Sequence, residues 1–280
     1  MITIFGIGTA GKNVANLFRE HKNYNIFNFT TQEESEDEAH IQLELGSTPE
    51  QCEDLIPDLS QHKSVISEHI QVILCGSSFS ANYALGILEQ VRDKKIEIFY
   101  IKPDTELLAG QNKLQENAVF GILQEYTRSG LFHNMTIISN TKVEEIIGNV
   151  PIINYFSTLN QTIYYVIHYM NYFANKKPLI GNLSNPSEVQ RIRTFGMINP
   201  QNLSEKMFYE LDMARDTSYY VCITSDRLET DGTLHKKLVD TLKNKPRNAF
   251  KNLSYAIYES NTENDFGFCI AHTNAVQSNS

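Results

Sequence analysis

The sequence predicts an α/β protein with a doubly wound parallel sheet, a long central helix and a smaller α+β domain towards the C-terminus. Short apolar runs alternate with helical patterns from residue 1 to about residue 140, which is typical of a parallel sheet with helices on both faces. A glycine-rich turn joins the first run to the first helical pattern, and after residue 178 the order becomes strand, helix, strand, strand. We therefore expect a first domain over 1–154, a linking helix over 155–177, a second domain over 178–273 and a disordered tail over 274–280.

Composition limits the class of protein. The 280 residues are 41% hydrophobic, enough to bury the cores of two domains. A net charge of -9 and a pI near 5.4 argue against direct binding to nucleic acid. The four scattered cysteines and eight dispersed histidines form no metal-ligand spacing, so we expect buried, reduced thiols and no metal site. Met1 leads directly into a strand and no apolar run approaches about twenty residues, so we expect a cytoplasmic protein with no signal peptide and no membrane span.

The turn after the first strand is the best candidate for a ligand site. The strand Ile2–Phe5 runs into glycines at positions 6, 8 and 11, and a helical pattern with Val14, Leu17 and Phe18 on one face follows. Glycine lets the backbone approach a ligand closely, and the amides that begin a helix attract an anion. A phosphate group is the usual occupant of such a turn. The alternative is a tight turn that binds nothing.

Three further loops follow predicted strands. The buried strand Val72–Cys75 ends in a second turn of small residues, Cys75–Asn82. The segment Leu45–Glu50 combines a turn with a helix start, and a plain helix cap is its ordinary interpretation. Asn140 follows the strand Met135–Ser139. Because the carboxyl ends of parallel strands meet at one edge of the sheet, we expect these loops to lie together.

The remaining elements complete the pattern. The acidic run Glu33–Glu38 is expected to be a solvated loop. Further strands are predicted at Tyr24–Phe29, Ile96–Ile101, Ser218–Thr224, Leu253–Tyr258 and Phe266–Ala271, and further helices through Leu85, Leu88 and Val91, over Asp104–Gly130, from Tyr155 to about residue 175, and over Leu234–Leu242.

Taken together, these loops resemble those of the tubulin/FtsZ family. The run from Gly6 to Asn13 looks like the first nucleotide loop of that family, G-x-G-x-x-G-x-N. The run from Cys75 to Ala81 aligns with its signature G-G-G-T-G-T-G, with serines in place of threonines and Gly76 as the only glycine kept. Lys102-Pro103 matches a lysine-proline pair after the next strand, and Tyr155 to Asn160 is similar to the start of the central helix of tubulin.

The resemblance implies a guanine nucleotide, GTP or GDP, with Mg²⁺ as a further candidate. Asn140 and Asn160 would read the edge of the base while Tyr155 stacks on it. Phe79, at a position where the family has glycine, puts tight binding of phosphate in doubt. The implied nucleotide-binding residues are Gly6, Gly8, Thr9, Ala10, Gly11, Asn13, Gly46, Ser47, Thr48, Gly76, Ser77, Ser78, Phe79, Ser80, Asn140, Tyr155 and Asn160.

The same resemblance implies a catalytic loop after the central helix. In the family, an acid in this loop acts on the nucleotide of the next subunit, and Glu188 is the counterpart here, with Asn182 before it. A carboxylate at this place could polarise the attacking water. The family's middle acid is replaced by Ser184. The alternative is a helix start, with Asn185 as cap and Glu188 in the first turn.

The sequence thus predicts a GTP-binding subunit that assembles head to tail into filaments in the cytoplasm of a prokaryotic or phage-infected cell. Two alternatives stay open. The first is a degenerate, non-hydrolysing assembly or capping protein, favoured by Phe79 and Ser184. The second is an NAD(P)-dependent oxidoreductase, favoured by the glycines at 6 to 11 but opposed by the second strand, which ends at Asn28-Phe29 without an acid.

Overall fold

The computed structural model describes residues 1–32, 39–245 and 251–278. Its strands form one twelve-stranded sheet. The strands are β1 (Ile2–Ile7), β2 (Tyr24–Thr30), β3 (His40–Gln42), β4 (His69–Leu74), β5 (Lys95–Lys102), β6 (Asn134–Ser139), β7 (Ile180–Asn182), β8 (Ile192–Ile198), β9 (Glu205–Met207), β10 (Asp216–Ile223), β11 (Asn252–Glu259) and β12 (Phe266–Thr273). The helices are α1 (Gly8–Asn16), α2 (Pro49–Asp54), α3 (Ala84–Glu89), α4 (Gly110–Ser129), α5 (Asn140–Ile147), α6 (Tyr155–Ala174), α7 (Ser225–Thr230) and α8 (Leu234–Asn244).

The sheet has a parallel half and a mixed half. Its strand order is β3-β2-β1-β4-β5-β6-β8-β12-β10-β11-β7, and β9 pairs with β8. All neighbours from β3 to β8 are parallel, whereas β12 is antiparallel to both β8 and β10. Since β6 pairs with β8 through Met135 and Ile192, the two halves are continuous. The predicted doubly wound α/β fold is confirmed, while its division into domains stays a prediction.

Side chains alternate between two cores on opposite faces of the parallel half. Phe5 and Ile7 of β1 pack into one core with residues of α3 and α4, and Ile4 packs into the other with α6. The helix α6 carries a buried apolar stripe at helical spacing that also contacts strands of the mixed half, including Phe268. The long central helix therefore contacts both halves of the sheet through the apolar stripe that its periodicity predicts.

Several predicted boundaries differ from the structure. The helix expected over 104–130 begins at Gly110, and Asp104 does not cap it. The Asp104 carboxylate accepts the N–H of Glu106 (3.0 Å) in a separate turn, and the positive φ of Gly110 (56°) marks the break. The helix expected through Val91 consists of a 3₁₀ segment, 79–83, followed by α3, which ends before Val91. The strands β3, β7, β8 and β9 and the helices α5 and α7 were not predicted.

The predictions for the acidic loop and for the C-terminal tail have different outcomes. Glu33–Glu38 lies outside the described residues. The segment expected to be a disordered tail reaches residue 278 in the described chain, and Gln277 within it is buried. The Gln277 N–H donates to Gln124 Oε1 (2.7 Å), which attaches this segment to α4. All four cysteines are buried and unpaired, as predicted, and among the described residues no helix is long and apolar enough to cross a membrane.

Candidate functional site

The turns after β1 and β4 meet at the carboxyl edge of the sheet. A Cβ placed on Gly8 would overlap the hydroxyl oxygen of Ser78 and lie 3.5 Å from Cβ of Ser80. Gly8 has a φ of 74°, a conformation that glycine adopts without strain. The prediction that these two turns lie together therefore agrees with the geometry. Position 8 requires glycine for two reasons, its positive φ and the lack of space for a Cβ.

The helix α1 begins within the glycine motif, at Gly8, and not after it. No side chain caps its N-terminus, and its first turn contains no acidic residue. Thr9 and Asn13 are exposed, and Ala10 is half-buried. An uncapped helix start leaves N–H groups that an anion can satisfy. The first turn therefore has the backbone donors that suit a phosphate group.

Positions 6 and 11 require glycine because neighbouring atoms leave no room for a Cβ, and neither residue has a positive φ. A Cβ on Gly11 would overlap the backbone oxygen of Ile73 in β4, and one on Gly6 would lie 2.7 Å from Oδ1 of Asn28. These contacts press α1 closely against the sheet and fix where its N-terminus lies. Asn28, where a dinucleotide-binding strand would present an acid, is buried and donates from Nδ2 to Asn16 Oδ1 (2.7 Å).

The loop after β4 is shaped by side chains beneath it. Gln115 on α4 donates from Nε2 to the backbone oxygens of Gly76 (2.9 Å) and Ser78 (2.6 Å). Cys75 Sγ and Ser77 Oγ lie 3.3 Å apart. Phe79 is half-buried and starts the 3₁₀ segment, with its ring 6.1 Å from that of Tyr83. None of the loop's residues from 75 to 80 has a positive φ, so this turn does not use glycine as the first one does.

The segment Gly46–Thr48 lies beside this loop. The Gly46 N–H donates to Tyr83 Oη (3.2 Å), at the end of the 3₁₀ segment. Thr48 Oγ1 accepts the N–H of Gln51 (3.3 Å), and Pro49 is the first residue of α2, so the predicted helix cap is confirmed. Ser47 donates from its N–H to Gln51 Oε1 (2.8 Å). The backbone here is thus engaged with α2, while the side chains of Ser47 and Thr48 are exposed.

Asn140 and Tyr155 begin α5 and α6, and Asn160 follows on the second turn of α6. Tyr155 is half-buried, and its hydroxyl donates to Glu144 Oε2 of α5 (2.7 Å), which raises its pKa. Neither Asn140 nor Asn160 has a side-chain hydrogen bond with another described residue. Two unengaged amides and an aromatic ring are the kinds of side chain that suit the edge and the face of a purine.

Asn182 and Glu188 lie at the opposite edge of the sheet. Both line a cavity of about 830 Å³ together with Lys95 and Asn134, the first residues of β5 and β6. The amino ends of the parallel strands face this cavity, whereas the turns after β1 and β4 follow the carboxyl ends. The alternative of a helix start at 185–188 is wrong, because residues 183–190 contain no helix. One subunit therefore does not bring Glu188 to its own glycine turn.

A buried ion network forms the wall of this cavity. Burial alone would raise the pKa of Glu97, but Arg193, His69 and Lys95 outweigh it and hold that pKa well below its usual range. The Glu97 carboxylate lies 3.1 Å from His69 Nε2 and 3.6 Å from Arg193 Nη2. Arg193 also donates from Nε to Thr136 Oγ1 (2.8 Å), which ties β8 to β6. The network fixes the strands against which the Glu188 loop packs.

The side chains that support the second turn were not predicted from the sequence. Gln115 and Glu116 both belong to α4, and Glu116 is completely buried. The spacing of Glu116, Phe120 and Leu123 places the acid on the buried stripe of that helix, which is the sequence signal that could have revealed it. Among the described residues, no group of three or more His, Cys, Asp or Glu side chains could hold a metal ion.

Comparisons with known proteins agree with this architecture. No protein-family model and no curated protein sequence matches the chain. An empty FtsZ dimer of M. jannaschii matches with a TM-score of 0.67 at 15% identity, over 97% of this chain and 87% of that one. The GTPγS-form protofilament of TubZ from Bacillus thuringiensis serovar israelensis gives 0.66 at 14% identity, over 98% and 86%. A helical model of a four-stranded TubZ-Bt filament gives 0.70 at 15% identity, over 96% and 85%. Identities this low establish the fold alone, and the chain has the tubulin/FtsZ-like fold.

Proposed function

We propose that the protein is a guanine-nucleotide-binding subunit that assembles head to tail, with GTP hydrolysed where two subunits meet. The observation that carries this proposal is the separation of its two candidate half-sites. The glycine turn at Gly8 lies at the carboxyl edge of the sheet, and Glu188 lies at the amino edge. A site that needs both can be completed only by stacking one subunit on another in the same orientation, which produces a filament.

Each part of the nucleotide has a matching feature at the carboxyl edge. The uncapped start of α1 and the hydroxyls of Ser77 and Ser78 suit the phosphates, and Gly46–Thr48 lies beside them. Asn140, Tyr155 and Asn160 suit the guanine base. When bound, GTP supplies the phosphoanhydride bond that is cleaved. Mg²⁺ would be held largely by the phosphates and water, so it needs no preformed cluster of acids.

Glu188 of the neighbouring subunit would act on the attacking water. Its side chain is exposed at the end of a loop, as an acid must be if it is to reach into another subunit. A carboxylate orients water and accepts its proton as the bond to phosphorus forms. Asn182, exposed on β7 in the same loop region, can hold the water or the loop in place.

Exposed apolar side chains at both edges support self-association. Ile152 and Ile153 are more than nine-tenths exposed and precede the exposed Phe156 beside Tyr155. Leu179, Ile180 and Val189 are exposed near Asn182 and Glu188 at the opposite edge. A contact between subunits at these edges would bury apolar side chains of this kind. Two different apolar patches at opposite ends fit a heterologous, head-to-tail contact.

A mixing experiment tests the shared site. Asn160→Ala should weaken guanine binding and Glu188→Gln should remove the acid, so each variant alone should hydrolyse GTP poorly. A mixture of the two should recover part of the activity, because Glu188 of an Asn160→Ala subunit can act on GTP held by a Glu188→Gln subunit. Glu263→Gln, an exposed acid in another loop, is the matched control. No recovery, with both variants folded and assembled, would contradict a site shared between subunits.

A second candidate function is assembly without hydrolysis. It is favoured by Ser184 in place of an acid in the catalytic loop and by the half-buried Phe79 in the second turn. One experiment distinguishes the two proposals. Assembly is monitored by light scattering while the release of phosphate from GTP is measured in the same sample. Assembly that requires GTP but releases no phosphate, and is unchanged in Glu188→Gln, would establish the non-hydrolysing protein.

A further inference from the structure

A buried acid lies directly beneath the turn that follows β4. Glu116 of α4 is 0% exposed, and neither of its carboxyl oxygens makes a well-formed hydrogen bond with another described residue. Burial raises its pKa, because an ionised carboxylate loses its hydration there. A fully buried acid with two unsatisfied oxygens is costly, and such groups persist where they have a role.

Glu116 faces the backbone of the turn itself. A Cβ on Gly76 would lie 2.6 Å from Glu116 Oε2 and would overlap the hydroxyl of Tyr100. The Tyr100 hydroxyl and, less strongly, the N–H of Ser77 approach the carboxyl group and lower its pKa, although less than burial raises it. Tyr100 and Glu116 together leave no room for a Cβ at position 76, and the acid lies on the inner side of the Ser77 N–H.

We propose that Glu116 is an internal competitor of phosphate: when ionised it attracts the Ser77 N–H inwards and repels a phosphate group, and when neutral it releases that N–H to bind one. Glu116 touches no ligand and acts only through the turn, so it is a positioning residue. The inference rests on the proposed nucleotide function and adds to it a proton that is taken up when the nucleotide binds.

The groups around Glu116 allow such a change of charge. Tyr100 of β5 and Cys75 both have pKa values raised by burial, so both are neutral at physiological pH. Lys102 of β5 attracts the carboxylate, while burial lowers its own pKa. Its Nζ lies 4.1 Å from the centre of the Phe120 ring. One cation and two neutral groups surround the acid, and the negative charge of a nearby phosphate would favour its neutral form.

The test is the pH dependence of GDP binding, measured by calorimetry from pH 6 to pH 9 in the intact protein and in Glu116→Gln. Above the pKa of Glu116, the Kd for GDP should rise more steeply with pH in the intact protein than in the variant. The ratio of the two Kd values should increase by up to about tenfold per pH unit, because binding to the intact protein takes up one proton. The comparison cancels the titration of GDP itself. Glu125→Gln, an exposed acid on the same helix, should behave as the intact protein does.

The outcomes separate this inference from the proposed function. If the intact protein and Glu116→Gln bind GDP with the same pH dependence, the role of Glu116 is wrong and the nucleotide site stands. If neither binds GDP, both proposals fail. If only the variant binds, the competition is supported directly.

A second measurement uses the intact protein without nucleotide, so it tests the inference even if Glu116→Gln does not fold. Because the folded-state pKa of Glu116 is raised, its contribution to stability is present below the ordinary pKa of a glutamic acid and is lost as pH rises through the raised value. Infrared spectra of the intact protein should show a protonated carboxyl band that disappears at a pH above that of the exposed acids. Absence of such a band at neutral and mildly acidic pH would overturn the inference.

Discussion

The turns after β1 and β4 lie side by side, but they obtain their shapes in different ways. The first turn depends on three glycines, each pressed against another part of the chain, and Gly8 has a positive φ. The second turn keeps one glycine, Gly76, and is held from below by Gln115 and Glu116. The comparison shows that a turn with a single glycine can be shaped by side chains that lie beneath its backbone.

The two turns should therefore respond differently to mutation. Added bulk should damage the first turn, because its backbone has no room for a Cβ. Loss of supporting side chains should damage the second turn. The following substitutions test this difference, in order of decreasing effect on the free energy of unfolding.

Gly11→Ala should have the largest effect. Its Cβ would overlap the backbone oxygen of Ile73, and neither α1 nor β4 can move without disturbing the sheet. We expect a loss of about 3 kcal/mol in the free energy of unfolding, measured by urea denaturation. A loss below about 1 kcal/mol would mean that α1 does not lie as close to β4 as the structure places it.

Gly8→Ala should destabilise the protein by about 2 kcal/mol, through its positive φ and through overlap with the Ser78 hydroxyl. The double variant with Ser78→Ala separates these two causes. Removing the hydroxyl should recover the steric part, while the conformational part remains. Strictly additive losses would show that Gly8 and Ser78 are not in contact, and the two turns would then not form one site.

The difference between the turns also explains what could be predicted from the sequence. The spacing of Gly6, Gly8 and Gly11 is a local pattern, and the buried strand before each turn is a local pattern too, so the carboxyl edge of the sheet was predicted. Glu116 was not, because a charged residue within a helical pattern is ordinarily placed in solvent, although its spacing from Phe120 and Leu123 puts it on the buried stripe of α4.

Long-range pairing accounts for the other omissions. The strand β8 interrupts its apolar residues with Arg193 and Gly196, and its pairing with β6 joins residues more than fifty positions apart. The loop around Glu188 has the residues of a helix start, but it packs around the cavity at the amino edge and forms no helix. In both places the tertiary context overrides the local signal, so neither the strand β8 nor the conformation of the loop around Glu188 was predicted.

Gln115→Ala tests the second turn, and its effect should be smaller than those of the glycine variants. It removes the two hydrogen bonds to the backbone oxygens of Gly76 and Ser78. We expect a loss of about 1 kcal/mol in the free energy of unfolding, together with faster hydrogen exchange in residues 75–80. Exchange that stays unchanged in this segment would show that the turn holds its shape without α4.

Gly121→Ala should have the smallest effect and the opposite sign. Gly121 lies inside α4, five residues beyond Glu116, and a Cβ there would meet nothing within 4 Å. Alanine restricts the unfolded chain and favours the helix, so the protein should become about 0.5–1 kcal/mol more stable. Because α4 carries the side chains that hold the second turn, a more stable α4 should also slow hydrogen exchange in residues 75–80. The rate of hydrogen exchange in the turn at Gly8 should stay unchanged. A change at Gly8 as well would mean that the two turns share their support, and the contrast between a backbone-shaped and a side-chain-shaped turn would no longer hold.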